Sequence, residues 1–241
     1  MIERRFRIGD MSTFVVHPAE GGPHPVVLFF MDAPGIREEL RDMARRLAGA
    51  GYYVMLPNLY HRTGVEELGP FIGEAGAGTR KLMFELMGSL DIAQVMEDAA
   101  QLIALADADP AASKGPMGTL GYCMSGQYAI CAAAGFPDRV RAAASIYGVR
   151  LKTEREDSPH LAARAGNAAL YVGWAEIDHY APLEELEPFK QSLDGLDAEV
   201  ELYKGVEHGF AFPERPAYNR DAAERHWQKL LALYGRCLRE R

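Results

Sequence analysis

The segment Thr119–Gln127 constrains the fold of this chain more than any other. Small and apolar residues lead into Gly121, and an Ala-rich helical sequence follows. A strand that turns abruptly into a helix lifts the side chain at the turn above the sheet, and only small residues fit two positions before and after it. Cys123 meets this condition with Gly121 and Ser125, whereas Ser125 as nucleophile would place the bulky Gln127 at a small-residue position. The pattern predicts Cys123 as a nucleophile.

The helix that follows Cys123 gives this position a chemical advantage. The unpaired N–H groups and positive dipole end of a helix lower the pKa of a nearby thiol and stabilise negative charge. The backbone N–H of Met124 would supply half of an oxyanion hole. The motif alone leaves one alternative open, a buried and unreactive cysteine after an ordinary strand-to-helix turn.

Composition excludes several classes of partner. With 241 residues, 48% of them hydrophobic, the chain is expected to form one domain over residues 1–241. Its net charge of −8 does not favour binding to nucleic acid or to an anionic membrane. We expect a small-molecule substrate and a monomer or small homo-oligomer.

Cysteine usage and the absence of apolar targeting signals favour the cytoplasm. No signal-like apolar core follows the N-terminus, and no run of about 18 apolar residues could span a membrane. Cys123, Cys131 and Cys237 are odd in number and lack the spacing of a zinc site. We expect free thiols in a reducing compartment and no metal.

Buried strands alternate with amphipathic helices along the chain. The apolar run Val26–Met31 suits a parallel strand buried on both faces. An antiparallel strand or a hairpin at a sheet edge is predicted at 6–16. Further strands are predicted at 52–57, 117–122, 140–147, 168–174 and 199–203, helices at 37–50, 81–106, 128–134, 182–193 and 219–238, and loops at 58–79 and 148–167. This alternation predicts an α/β fold with a mostly parallel central sheet flanked by helices on both faces.

His208 is the predicted base. A cysteine nucleophile needs a base, and the base needs an orienting carboxylate, in the chain order nucleophile, acid, histidine for a fold of this kind. His208 follows the last predicted strand, with Gly205 and Gly209 close on either side. The alternative is a surface loop histidine. His61 and His179 are expected at most to line the pocket.

Two carboxylates compete for the orienting role. Asp178 lies just before the helix that begins at Pro182, where the chain has turned toward the site, so we prefer it to Glu176, which is nearer the strand end. Glu207 is adjacent to His208 and should point elsewhere.

The loop after the first central strand should contribute the second oxyanion donor. That position is the backbone N–H of Ala33, beside the N–H of Met124. Asp32 would then lie close to the thiol, where a carboxylate raises the pKa of the thiol or has its own pKa raised. The alternative role for Asp32 is to cap the following helix.

Several segments together resemble the dienelactone hydrolase family, a branch of the α/β-hydrolase fold. The similarity rests on Gly121–Gly126, Asp178–Tyr180 and Glu207–Phe210, and the segments Pro57–Tyr60 and Ile146–Val149 also match in place. The resemblance implies that a Cys-His-Asp triad opens an enol-lactone or another activated ester through an acyl-thioester, without a metal or an organic cofactor.

The resemblance also implies substrate-binding positions, and two of them depart from the family pattern. Tyr60 and Tyr147 fall in matching segments, and Arg80 falls near one of two arginines that bind the substrate carboxylate. Phe212 stands where the second arginine would be, so dienelactone itself is not assumed as the substrate. Asp32 stands where the family has a longer glutamate that holds the thiol in a resting state.

Two other classes of function remain open from the sequence. Asp32 and Phe212 would also be consistent with a catalytically weak or inactive protein that binds a metabolite on the same fold. A thiol redox sensor would require Cys131 as the partner of Cys123, about two helical turns away and facing the core.

Overall fold

The computed structural model describes residues 1–239, which divide at Lys114 into a first unit and a second unit. Each unit has strands and helices of its own. The expectation of a single domain over residues 1–241 stays a prediction. No helix within residues 1–239 is long and apolar enough to cross a membrane.

The first unit combines an antiparallel hairpin with a parallel pair of strands. Its strands lie in the order β1-β2-β4-β3, and β2 is antiparallel to both β1 and β4, whereas β3 and β4 are parallel. Every residue of β3 and β4 is buried, as continuous apolar runs require. The elements are β1 (Ile2–Ile8), β2 (Met11–His17), β3 (Val26–Phe30), α1 (Glu38–Gly49), β4 (Tyr53–Pro57), α2 (Gly76–Gly88) and α3 (Ile92–Ala108).

The second unit is a parallel α/β arrangement. Its strands lie in the order β5-β6-β7-β8, and each neighbouring pair is parallel. The carboxyl ends of these strands therefore lie at one edge of the sheet, which is where loops carry functional groups in such folds. The elements are β5 (Met117–Tyr122), α4 (Gly126–Gly135), β6 (Val140–Ile146), α5 (Pro159–Ala165), β7 (Ala169–Ile177), α6 (Leu186–Ser192), β8 (Ala198–Glu207) and α7 (Arg220–Cys237).

The predicted α/β class with mostly parallel strands is confirmed, but two segments differ from the prediction. The single helix expected at 81–106 is two helices, and the first of them begins at Gly76, inside the predicted loop 58–79. The expected loop 148–167 contains α5, which begins with Pro159 in its first turn.

The break between α2 and α3 has a local cause. Asp91 has an extended backbone, and its carboxylate accepts a hydrogen bond from the N–H of Gln94 at 2.8 Å. A side-chain oxygen that satisfies one of the first free N–H groups of a helix fixes the point at which that helix begins. The apolar periodicity that runs through the segment conceals this start signal.

We predict that Asp91→Ala lowers the free energy of unfolding by about 1 kcal/mol, because the N-cap hydrogen bond of α3 is lost. Denaturant unfolding followed by circular dichroism measures the change. Asp91→Asn keeps an acceptor oxygen and serves as the control, so equal losses in both variants would contradict the capping role.

Candidate active site

The predicted nucleophile lies on a strained turn between β5 and α4. Cys123 is half-buried and has a backbone φ of +55°, a left-handed conformation that is unfavourable for a residue with a Cβ. A short 3₁₀ helix at Cys123–Ser125 leads directly into α4. A Cβ on Gly121 would lie 2.0 Å from the carbonyl oxygen of Ser125, so the small-residue rule used in the prediction has a steric basis here.

The end of β6 and the loop after it pack against this turn. The N–H of Val149 donates to the carbonyl oxygen of Cys123 at 3.1 Å. The Ser145 hydroxyl lies between two glycines, because a Cβ on Gly126 would be 2.3 Å from its Oγ and one on Gly148 would be 2.2 Å from it. This close packing of small residues fixes the backbone that carries Cys123.

A hydrogen bond joins Asp178 to His208, and the imidazole of His208 interacts in turn with Cys123. His208 Nδ1 donates to Asp178 Oδ2 at 2.6 Å, and the side chain of Asp178 is completely buried. The other carboxylate oxygen of Asp178 accepts from the N–H groups of Tyr180 at 2.8 Å and Ala181 at 3.1 Å. The Cys123 thiol interacts with the imidazole and helps to raise its pKa. The carboxylate is thus held by its own loop and holds the imidazole in turn.

Glu176, the competing carboxylate, is engaged elsewhere. Strand β7 extends to Ile177, beyond the predicted strand end at 174, so Glu176 lies within the strand. Its carboxylate accepts from the backbone N–H of Gly205 at 2.7 Å. It therefore fastens β7 to β8, and Asp178 is the carboxylate that contacts His208.

The surroundings of His208 favour its protonated form. Burial lowers the pKa of the imidazole, but the hydrogen bonds to Asp178 and Cys123, together with the charges of these groups, outweigh burial and raise the pKa to about 9. A protonated imidazole beside a carboxylate and a thiol can stabilise a thiolate and return a proton to a leaving group.

Aromatic rings fix the imidazole from two sides. The ring centre of Tyr147 lies 4.8 Å from that of His208, and the ring centre of Tyr180 lies 5.0 Å from it, with its edge toward the imidazole. Tyr147 is buried, whereas Tyr180 is 57% exposed. Of these two, Tyr147 is a predicted site residue; the contact of Tyr180 with the imidazole was missed, although it follows Asp178 by only two positions.

Sequence reasoning also missed a buried hydrogen-bonded pair that involves Tyr122, the residue before the nucleophile. The Tyr122 hydroxyl lies 2.9 Å from Nε2 of His226, which is fully buried on α7. The two residues are far apart in the chain, and His226 in an amphipathic helix gives no sequence signal of this partner.

Phe212 belongs to the packed interior of the second unit. It is 1% exposed, and its ring centre lies 5.1 Å from that of Tyr122 and 6.2 Å from that of Tyr147. The Arg215 guanidinium carbon lies 5.6 Å from the ring centre of Phe212. The structure thus places a substrate-binding candidate among core aromatic side chains.

The remaining candidates lie in the first unit. Asp32 is buried and pairs with Arg37 at 2.6 Å, and it does not cap α1, whose N-cap is Arg37. The Tyr60 hydroxyl donates to the carbonyl oxygen of Ala33 at 2.7 Å. Arg80 is exposed on α2 and donates to the carbonyl oxygen of Phe71 at 2.8 Å.

His61 and Cys131, which the sequence analysis also considered, have contacts or burial that suit a role in the fold. His61 and Arg62 both bind the buried carboxylate of Asp98, with the shortest distances at 3.1 and 2.8 Å. Cys131 is buried, which raises the pKa of its thiol to about 12. Within residues 1–239 no three His, Cys, Asp or Glu side chains are grouped to hold a metal ion.

Comparison with known proteins identifies the family. The model of the dienelactone hydrolase family matches residues 11–238, so the chain belongs to this family of carboxylic ester hydrolases, which have the α/β-hydrolase fold. Carboxymethylenebutenolidase of Pseudomonas putida is 28% identical over 89% of this chain and 87% of its own length.

Solved structures agree with this fold. A crystal structure from Klebsiella pneumoniae, provisionally named a dienelactone hydrolase, covers 97% of this chain and 98% of its own, with 25% identity and a TM-score of 0.84. A dienelactone hydrolase-like promiscuous phosphotriesterase from metagenomic libraries has 19% identity, 99% coverage of both chains and a TM-score of 0.78. The second comparison shows a shared fold.

We predict that the contribution of Asp178 to stability depends on pH. Because the pKa of His208 is raised from 6.5 to about 9 in the folded protein, the resulting stabilisation is complete below pH 6.5 and is lost as the pH rises through 9. Asp178→Asn should therefore lower the free energy of unfolding, measured with denaturant, by about 1–3 kcal/mol more at pH 6 than at pH 10. Glu176→Gln is the matched control. A loss of unfolding free energy in Asp178→Asn that does not change with pH would contradict the pairing of Asp178 with His208.

We also predict opposite effects for two neighbours beneath the nucleophile. Gly148→Ala should destabilise the fold by about 1–3 kcal/mol, because its methyl group would overlap Ser145 Oγ. Ser145→Ala should be neutral or slightly stabilising, because the Ser145 hydroxyl is buried and has no hydrogen-bond partner within residues 1–239. Unfolding free energies of both variants test this packing, and a costly Ser145→Ala would count against it.

Proposed function

We propose that this chain hydrolyses small activated esters or lactones, with Cys123 as nucleophile, His208 as proton carrier and Asp178 as the carboxylate that orients the imidazole. The supporting observation is the hydrogen bond of Asp178 to His208, together with the interaction of that imidazole with Cys123, a residue with positive φ between a strand and a helix. Nucleophile, base and orienting group in hydrogen-bond contact are the general signature of nucleophilic catalysis.

The reaction follows from the roles of these three groups. The Cys123 sulfur attacks the substrate carbonyl carbon as a thiolate, while its proton is held on His208 Nε2, since Nδ1 is occupied by Asp178. When the carbon–oxygen bond breaks, His208 returns the proton to the leaving oxygen and an acyl-thioester remains. His208 then removes a proton from water, which attacks the thioester, and the regenerated thiol and a carboxylic acid are the products.

The proposed oxyanion donors are the backbone N–H groups of Ala33 and Met124. Ala33 is buried, and its N–H donates to no acceptor within residues 1–239. A buried N–H without an acceptor is rare and costly in a folded protein, which supports a role toward a bound group. In known enzymes one such donor contributes roughly 3–4 kcal/mol of transition-state stabilisation.

We propose neutral acyl groups rather than carboxylate-bearing ones. Phe212, at the place of a carboxylate-binding arginine in the resemblance, is packed against Tyr122 and Tyr147 and offers no charge. Arg80 is the remaining cation of the proposed pair, and Tyr60 and Tyr147 are the other proposed contacts. The cytoplasm is the proposed location, in line with three cysteines that are all free.

We predict that Cys123→Ala reduces kcat/KM for 4-nitrophenyl acetate by at least about 1,000-fold, because no acyl-thioester can form. Steady-state kinetics measure the loss, and mass spectrometry of the rapidly quenched wild type should show an acyl group on the peptide that contains Cys123. Cys131→Ala is the matched control, because its buried thiol with a raised pKa should not react.

A wild-type rate in Cys123→Ala would overturn the assignment of the nucleophile. Saturable binding of a metabolite without turnover across a panel of esters and lactones would instead favour a binding protein on this fold. A Cys123–Cys131 disulfide after oxidant treatment would favour the redox reading.

A further inference from the structure

The loop Asp32–Gly35, which we call the β3 loop, is a tight turn at the carboxyl end of β3. The N–H of Gly35 donates to the carbonyl oxygen of Asp32 at 2.9 Å, and Gly35 has a φ of +80°, which favours glycine. A Cβ on Gly35 would contact the ring of Tyr60 at 3.5 Å. The loop is therefore a compact turn, and its Ala33 N–H is the proposed oxyanion donor.

One guanidinium group holds this loop to the start of α1. Arg37 donates to both carboxylate oxygens of Asp32, at 2.6 and 3.3 Å, and to the carbonyl oxygen of Gly35 at 3.2 Å. It also donates twice to Glu39, at 2.7 and 3.0 Å. The Arg37 side chain is 19% exposed, and both carboxylates are buried.

This arrangement is strong because its groups are charged and removed from water. Burial lowers the pKa of Arg37, but the charges of Asp32 and Glu39 and the hydrogen bonds to them raise it above its ordinary value. Charge-assisted hydrogen bonds from a planar guanidinium are about twice as strong as neutral ones and fix direction as well as distance. A lysine at the same position would provide a single point charge and could not span both carboxylates in the same plane.

Tyr60 adds a second restraint on the loop. Its buried hydroxyl donates to the carbonyl oxygen of Ala33 at 2.7 Å. The two ends of the β3 loop are therefore bound by Arg37 and its middle by Tyr60. A donor held in this way does not need to reorganise when negative charge develops on a substrate oxygen.

We propose that Arg37 is a positioning residue, whose guanidinium fixes the β3 loop so that the Ala33 N–H is oriented before substrate arrives. Its catalytic consequence rests on the proposed function. The pairing also gives Asp32 a partner of opposite charge at the start of α1, which differs from a carboxylate that holds the thiol in a resting state.

The test compares Arg37→Gln with Arg41→Gln in the full-length protein. Arg41 lies one turn further along α1, is buried and also binds two carboxylates, of Glu38 and Glu67, and within residues 1–239 its side chain makes no hydrogen bond to the β3 loop. We expect Arg37→Gln to lower kcat for 4-nitrophenyl acetate by 10- to 100-fold with KM changed less than threefold, because an oxyanion donor acts in the transition state. Arg41→Gln should stay within twofold of the wild type.

Hydrogen–deuterium exchange gives a readout that does not depend on turnover. Amide exchange in a peptide that covers residues 32–36 should become at least tenfold faster in Arg37→Gln and should not change in Arg41→Gln. Arg37→Lys, which keeps the charge but loses the planar fork, should give intermediate values of both kcat and exchange rate. It also serves as the folded variant if Arg37→Gln does not fold.

The outcomes separate this proposal from the proposed function. Unchanged exchange in residues 32–36 of Arg37→Gln overturns the positioning role, whatever the activity. Faster exchange with an unchanged kcat overturns the catalytic consequence of Arg37. A wild-type protein without esterase activity overturns the proposed function, while the exchange measurement still decides whether Arg37 fixes the loop.

Discussion

The left-handed backbone of Cys123 is the constraint on which the rest of the candidate site depends. This conformation costs a residue with a side chain about 1–2 kcal/mol, so neighbouring contacts must maintain it. Gly121 allows the backbone of Ser125 to approach to a distance that no side chain would permit, and the N–H of Val149 binds the Cys123 carbonyl oxygen. The local strain is therefore balanced by small residues in the strand before the turn, in the helix after it and in the loop below it.

The same turn places the Cys123 thiol next to the imidazole of His208, so the charges of the two groups depend on each other. The thiol of Cys123 lies at the start of a helix and interacts with an imidazole whose pKa is raised to about 9, so its neighbour is a proton carrier that is protonated at neutral pH. The buried carboxylate of Asp178 contributes to this, because its hydrogen bond and charge oppose the effect of burial on the imidazole. Two backbone N–H groups bind its second oxygen, so the charge of Asp178 is stabilised by its loop as well as by His208.

Sequence reasoning succeeded where residue size or apolar periodicity decides the structure and failed where a specific side-chain contact decides it. The size rule around Gly121 and the positions of apolar strands are local properties, so the parallel α/β class could be predicted. The partnership of Tyr122 with His226 and that of Arg37 with Asp32 depend on side-chain directions that a linear pattern does not encode. The separate helices at 76–88 and 92–108 differ from the predicted single helix because the cap at Asp91 interrupts an otherwise continuous apolar periodicity.

The aromatic packing around Tyr147 in the second unit affects which substrates the site can be expected to accept. Tyr147 contacts His208 on one side and packs with Phe210 and Phe212 on the other, with ring centres 5.3 and 6.2 Å away. An arginine at position 212 would bring an unpaired charge into this cluster, and the cost of burying a charge would fall on the residues that hold the imidazole. A cationic side chain at position 212 would therefore disturb the packing of Tyr147 against His208. The packing that fixes the imidazole is therefore also a physical reason for the proposed preference for neutral acyl groups.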